Sequence, residues 1–528
     1  MCGFAVYTGS DKMTRLKAAS EFQKIKYRGP DNSIYADFQD KGWMGFHRLK
    51  IMDVSDDGNQ PMHYKNIHLV CNGEIYNYPQ LRADYESKYT FQSTSDCEVI
   101  IPMYKELGVM ETAKRLDAEY VFVIYDEDIN TYVAARDPIG IRPLFYGHSK
   151  DGAIHFASEM KAISDLCEDV KPFPPGHVYN GKKFICYKDI SYVEKSVDHE
   201  LEEVLQNINL TLTEGVEKRL QSDVPVGFLC SGGLDSSLVC AIAAKMMDKP
   251  IRTFAVGIEE NPIDTKYARI VADYLGADHT EVLFSKQDIF DTLSSLIYKI
   301  ETYDITTIRA SIGMYLVSKY VAENTDIKVL MTGEISDEIF GYKYTDFAPS
   351  PSAFQEEAEK RIREIYMYDV LRADRSISCC GLEARVPCGD LEFVDYVMSI
   401  KPEMKMNNTG IGKFLLRKAF EGDYLPQDIL YREKAAFSDA VGHSMVDYLK
   451  AYAEEMYTEE EFQSLRKKYT HATPISKESL MYREIFESYF PGKSYCVTDL
   501  WMPNKSWENC DVNDPSARVL PNYGKSGE

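Results

Sequence analysis

The hydrophobic period of this chain changes once, near residue 190, and that change limits what it can fold into. From Cys2 to about residue 190, short apolar runs are cut by turn residues: "CGFAVYTG", "GWMGFHRLKIMD", "IHLVCNGEIYN", "YVFVIYDED", "TYVAARD" and "AIHFASE". Such runs predict an antiparallel, sandwich-like β-rich domain with a few helices. One helix is expected in "STSDCEVIIPMYKEL", where Ser95 and Glu98 have the spacing of a capping box, and this sets Asp96 at the helix N-terminus. After a polar stretch at residues 188 to 200, apolar residues recur three and four apart and alternate with buried-looking strands. "VPVGFLC" leads into "DSSLVCAIAAKMM"; "IRTFAVGI", then "YARIVADYLG" closed by Gly276, then "TEVLF" follow. This βαβ order predicts a parallel sheet with covering helices. A chain of 528 residues exceeds what one core usually supports, so two or three domains are expected, and the change of period divides the chain into 1–190 and 191–528. The tail after about residue 505 reads as loosely ordered.

Charge and composition exclude some functions. A net charge of -23 argues against nucleic acid as a partner. No stretch approaches the roughly 18 apolar residues of a membrane helix, and the first thirty residues lack an apolar signal core, so the expectation is a soluble, cytoplasmic protein with no membrane partner. The 12 cysteines show no CxxC pairs at zinc spacing, and Cys379 and Cys380 are adjacent. Apart from Cys2, most of them read as buried, reduced thiols.

Three features carry chemistry. Cys2 follows the initiator methionine directly, so removal of Met1 leaves a thiol and a free α-amine on one residue, a nucleophile with its own base. Between a strand and a helix lies "CSGGLDSS", residues 230–237, whose glycines and hydroxyls beside a helix N-terminus suit phosphate. It lacks the lysine of the GxxxxGK[ST] loop, and Asp235 beside a phosphate needs an intervening divalent cation, which predicts Mg²⁺. A second strand, "KVLMTGE", runs into "ISDEIFG" and brings Glu334 and Asp337 to the same sheet edge. Lys434 in "YREKAAFSDAVG" offers a cation.

The loop SGGLDSS closely resembles the PP-loop of ATP pyrophosphatases. Together with "MCG", "RGPD", "FHRL", "NGEIYN", "SDCEVI", "RDPIGIRPLF" and "ASEMKAI", and then "TFAVGI", "ETYDITTIRAS", "TGEISDE", "LRADRS", "GLEARVP" and "REKAAFSDAVG", it makes the chain similar to the glutamine-hydrolysing asparagine synthetases, in order and over almost its whole length. The resemblance implies an Ntn-type class II glutaminase domain over 1–190 and an asparagine synthetase domain of the α/β PP-loop class over 191–528. Cys2 would be the nucleophile, with Asn72 and the Gly73 amide as the oxyanion hole, while Arg48, Glu74 and Asp96 would hold the α-carboxylate and ammonium of glutamine. In the second domain Leu229, Ser231, Gly233, Asp235, Ser236, Val256, Thr332 and Gly333 would bind ATP. Asp235 and Asp337 would reach pyrophosphate through Mg²⁺, Glu334 would be the base toward ammonia, and Lys434 would balance charge on the phosphate. Asp369 and Arg372 match positions near that site. The implied reaction turns aspartate, ATP and glutamine into asparagine through β-aspartyl-AMP, releasing AMP, pyrophosphate and glutamate, with ammonia sheltered between sites. Family members often form dimers, so a homodimer is the implied assembly.

The resemblance has departures, all in the second half. Ile335 stands where the family motif GEGSDE has its second glycine, which is a poor substitute if that position needs φ > 0. "IFGYKY" is one residue short, and Cys388-Gly389 replaces a usual Phe-Leu pair, which should loosen local packing. Two other readings follow from these changes: a related enzyme that acts on another carboxylate, as β-lactam synthetase-like relatives do, or a degenerate synthetase that serves as a binding subunit.

Overall fold

The structure, a computed structural model, describes residues 1–259, 263–433 and 443–524. The chain forms two compact units: Met1–Ile190 with Gln221–Pro225 and Ser378–Glu383, and then Ser191–Leu220, Val226–Ile377 and the chain from Ala384 onward.

The first unit holds two six-stranded sheets. One runs in the order Lys171–Pro172, Phe145–His148, Ile154–Ala157, Gly3–Tyr7, Trp43–Arg48, Asn32–Asp37, and the other in the order Phe184–Cys186, His177–Tyr179, Thr131–Arg136, Ala118–Asp126, Ile67–Ile75, Met62–Tyr64. Neighbouring strands are antiparallel. Successive side chains of a strand point to opposite faces, and this alternation sorts the core. Val70, Val121 and Val123 pack with Phe4, Val6, Met44 and Phe46 between the sheets. Leu69, Cys71, Phe122 and Ile124 point the other way, into the core under the helices Tyr78–Tyr85 and Ile100–Arg115. Asn72 and Glu74, with the parity of Val70, therefore share the inter-sheet face, where Cys2 packs.

The second unit is built on a five-stranded sheet, ordered Asp278–Phe284, Arg252–Ile258, Val226–Leu229, Val329–Met331, Glu383–Arg385. Val226–Leu229 is parallel to both of its neighbours. The chain leaves this strand to one side and later returns on the other, so the crevice at its C-terminal end is a topological switch point, where open α/β sheets bind ligands.

Two local expectations need correction. Ser95 makes no capping bond; Asp96–Val99 is a 3₁₀ turn, and the α-helix begins at Ile100 and kinks at Gly108, where φ is +75°. The Glu98 carboxylate instead accepts from Tyr89 Oη (3.1 Å), the Gln92 and Ser93 amides (2.8 Å each) and Ser93 Oγ (2.6 Å). Four donors in the preceding loop outcompete the single amide that a capping box would supply. Nor is the described tail loose. It has little regular structure, but Trp507, Cys510 and Leu520 are buried against Tyr344, Tyr368 and Trp501. Asp514 pairs with Arg309 at 3.1 Å and Lys450 at 2.7 Å. A tail without periodicity can still be anchored by such side chains.

Candidate active site

In the first unit the strand Gly3–Tyr7 presents Cys2 beside the strand Ile67–Ile75. The Cys2 amide donates to Asn72 Oδ1 at 3.0 Å, which fixes the carboxamide. Asn72 Nδ2 is thereby left buried without a hydrogen-bond partner among the described residues. A buried, unsatisfied donor held in place beside a nucleophile is what a developing oxyanion requires. Gly73 is needed for a different reason: a Cβ there would lie 2.5 Å from the Glu119 carbonyl oxygen on the paired strand.

With Met1 in place, burial pushes the Cys2 thiol up to about 11. Burial also lowers the Met1 amine to about 6. That amine donates to the Leu382 carbonyl (3.3 Å) and lies 3.8 Å from Glu383, so in this form the base and the thiol are not on one residue.

The glutamine-site candidates Arg48, Glu74 and Asp96 are all buried. Arg48 Nη1 donates to the Ser55 carbonyl (2.6 Å) and Asn59 Oδ1 (3.0 Å), and Nη2 to the carbonyls of Met52 and Asp53. Its terminal nitrogens thus hold the 52–59 loop in shape. Asp96 accepts the Ile75 amide at 2.7 Å.

In the second unit a cleft of about 210 Å³ opens at the switch point and is lined by Leu229, Val256, the 231–236 loop and the 333–338 loop. Gly233 caps the helix Leu234–Met246. The Ser231 and Ser236 hydroxyls lie 3.1 Å apart, and the Gly233 amide donates to Ser231 Oγ at 3.3 Å. Gly333 lets the two loops meet, since a Cβ there would fall 2.7 Å from the Ser236 nitrogen. Thr332 is buried and donates its amide to the Arg385 carbonyl at 3.0 Å.

Asp235, Glu334 and Asp337 all line this cleft. Glu334 Oε1 accepts from Arg372 Nη2 (3.2 Å), while Oε2 is buried without a partner among the described residues. Arg372 is paired with Asp369 at 2.6 Å. Ile335 is buried with φ +83°, so the β-branched side chain does sit in left-handed backbone. Cys388 and Gly389 are both buried in the turn Pro387–Gly389.

Four residues here escaped the sequence reading. Lys413 sits between the carboxylates of Asp235 and Asp337. Tyr342 donates to Glu338, whose carboxyl is pushed well above the usual range by burial and by the nearby Asp369 and Asp337. Arg432 donates to the Gly232 carbonyl (3.1 Å) and covers the Tyr267 ring at 3.7 Å. Of these, only the run "DE" beside Asp337 was a usable signal; Lys413 is 178 positions from Asp235 in sequence. Lys434 lies outside the described residues.

A family model for the glutamine amidotransferase domain matches residues 1–185, and one for asparagine synthase matches 207–352 and 346–513. The asparagine synthetase [glutamine-hydrolyzing] of Cricetulus griseus is 39% identical, over 99% of this chain and 99% of its own. The chain belongs to the glutamine-hydrolysing asparagine synthetase family. The Homo sapiens family member is also 39% identical, over 99% of each chain, and asparagine synthetase [glutamine-hydrolyzing] 3 of Arabidopsis thaliana is 41% identical, over 100% of this chain and 94% of its own. Among solved structures, the allosteric regulatory enzyme of purine biosynthesis matches at 15% identity with a TM-score of 0.32, covering 54% of this chain and 80% of that one. For this asparagine synthetase family chain, the structure gathers Cys2 and Asn72 in the first unit and Ser231, Asp235, Glu334 and Asp337 in the second.

Proposed function

We propose that this chain makes asparagine from aspartate, with ATP as co-substrate and glutamine as nitrogen donor, 1–190 being the glutaminase and 191–528 the synthetase. The observation that carries the reading is the meeting of the serine-glycine loop, Glu334 and Asp337 at one cleft on the switch point of a parallel sheet.

In the first half-reaction, removal of Met1 frees the Cys2 α-amine. An unperturbed α-amine titrates near 7.7–8.0, so much of it is a base near neutral pH. It takes the thiol proton, the thiolate attacks the glutamine carboxamide, and Asn72 Nδ2 with the Gly73 amide receives the oxyanion; each such donor contributes about 3–4 kcal/mol to the transition state. Glu74 and Asp96 orient the amino-acid end of glutamine, while Arg48, whose terminal nitrogens are engaged by the 52–59 loop, fixes that loop. Collapse of the tetrahedral adduct breaks the C–N bond, the Cys2 α-ammonium returns its proton to the departing ammonia, and water then releases glutamate from the thioester.

In the second, Leu229, Val256, Thr332 and Gly333 hold the adenosine side and Ser231, Gly233 and Ser236 the pyrophosphate. The aspartate side-chain carboxylate attacks the α-phosphate, giving β-aspartyl-AMP and pyrophosphate. Asp235 and Asp337 fit Mg²⁺, because hard oxygen donors from both already surround one cationic nitrogen. When bound there, Mg²⁺ would neutralise phosphate charge. Glu334 Oε2, buried and without a partner among the described residues, accepts the proton of the attacking ammonia, and AMP departs. Lys434 would counter charge on the phosphate. Arg372 keeps Glu334 oriented.

Among the described residues no helix is long and apolar enough to cross a membrane. We place the enzyme in the cytoplasm as a homodimer. The test is a product assay on protein with verified loss of Met1, given ATP, Mg²⁺ and aspartate with either glutamine or ammonium. Asparagine with matching AMP and pyrophosphate from both nitrogen sources is expected. Glutamate from glutamine with neither asparagine nor AMP would overturn the synthetase half.

A further inference from the structure

The Lys413 ammonium lies 2.8 Å from each Asp235 oxygen and 2.9 Å from Ser336 Oγ. It is also 2.8 Å from Asp337 Oδ1. Four oxygens from three residues surround one nitrogen with three N–H donors, an arrangement closer to a cation cage than to a simple ion pair. The side chain is about 5% exposed. Its backbone is left-handed, φ +57°, at the residue that opens the helix Phe414–Ala419, so the chain accepts a disfavoured conformation to deliver the ammonium.

We propose that Lys413 is a resident counter-cation that holds the Asp235–Asp337 pair when no divalent ion is present and must be displaced before one can bind. This rests on the assignment of those two carboxylates to Mg²⁺. A monovalent ammonium and a divalent ion compete for the same oxygens, and the two carboxylates cannot charge-match both. Free metal therefore binds weakly to the empty site. Metal arriving on a nucleotide brings phosphate oxygens that give the expelled ammonium a new partner in the same cleft, so Lys413 makes metal entry depend on nucleotide. Lys413 is in this sense a positioning residue for the metal and the pyrophosphate.

The test is Mn²⁺ binding, read as loss of the free-ion electron paramagnetic resonance signal, with and without the α,β-methylene analogue of ATP. Wild type should bind Mn²⁺ weakly alone and tightly with the analogue. Lys413→Met should bind Mn²⁺ without nucleotide at least about tenfold more tightly than wild type, because one competing charge is gone. Lys413→Gln, which keeps a hydrogen-bond donor but no charge, should behave alike and serves if the methionine variant does not fold. Unchanged nucleotide-free affinity in both variants would overturn the proposal. Asp235→Asn separates the two failures: if it retains full Mn²⁺ binding with the analogue, the metal assignment itself is wrong, whereas if it loses that binding while the Lys413 variants behave as wild type, only the displacement role falls.

Discussion

Ile335 lies in left-handed backbone at φ +83° and is about 1% exposed. A β-branched residue there costs about 1–3 kcal/mol in backbone strain, while its buried side chain contributes about as much. These terms separate on truncation. Ile335→Ala loses the burial and keeps most of the strain; Ile335→Gly loses the burial and sheds the strain. The usual order, in which alanine is more stable than glycine, should therefore reverse, with the glycine variant ahead by about 1 kcal/mol in urea unfolding. If alanine is the more stable, the position is not strained. Cys2 makes a second prediction at this scale. With Met1 retained, the thiol titrates near 11, pushed up by burial, so alkylation by iodoacetamide at pH 7.5 should be slow and should rise only as pH approaches that value. Removal of Met1 supplies the α-amine, and the rise should move toward neutral pH. An alkylation profile that does not change on processing would count against the amine as base. Cys2→Ala should abolish glutamine-dependent asparagine formation and leave ammonium-dependent formation intact.

At the scale of elements, the strands were legible because their signal is local. "YVFVIYDED" supplies most of the strand Ala118–Asp126, and its alternation sets Val121 and Val123 against Phe122 and Ile124 on opposite faces. The strand, loop and helix around residues 230–237 were equally readable, since they are consecutive. The false capping box shows the limit: Ser95 and Glu98 have the right spacing, but the Glu98 carboxylate is claimed by Tyr89, Gln92 and Ser93. Lys413 was invisible for a related reason, since "GIGKFLLRKAF" reads as a helix start and its partners come from two loops far away in sequence. The contact between those two loops carries its own prediction. Gly333→Ala would place a methyl 2.7 Å from the Ser236 nitrogen and 3.0 Å from the Asp235 carbonyl carbon. Backbone cannot yield as a flexible side chain does, so the 231–236 loop must move away from Glu334 and Asp337. Ammonium-dependent asparagine formation should fall by at least about tenfold, as expected when catalytic groups shift by about 1 Å, with glutamate release from glutamine kept. Activity within about twofold of wild type would show that the loops tolerate separation.

At the scale of the whole molecule, the tail packs within the second unit. Trp501 and, further along the chain, Pro515, Ser516 and Leu520 line the cleft of that unit. Two carboxylates tie the tail down with opposite pH dependence. Asp304 accepts the Trp501 amide at 2.6 Å, and burial raises its carboxyl to about 6. Its folded-state pKa is above the unfolded value of about 3.9, so its contribution is complete below that value and is lost as pH rises through about 6. For Asp514, burial opposes ionisation, but the hydrogen bonds and charges of Arg309 and Lys450 outweigh it and hold the carboxyl well below the usual range. Its contribution is present above the unfolded pKa and is lost only as pH falls below about 4. Between pH 6 and 8 the tail therefore depends on Asp514. Among the described residues, Asp514→Ala leaves Arg309 with the Glu478 carboxylate and should destabilise the second unit by about 2 kcal/mol, less than a fully buried pair because Asp514 is about 19% exposed. The variant should lose ammonium-dependent asparagine formation in step with that loss, with a raised KM for ATP, while glutamate release from glutamine stays at the wild-type rate. An equal fall in both half-reactions would mean that the tail supports the chain as a whole rather than the cleft it lines.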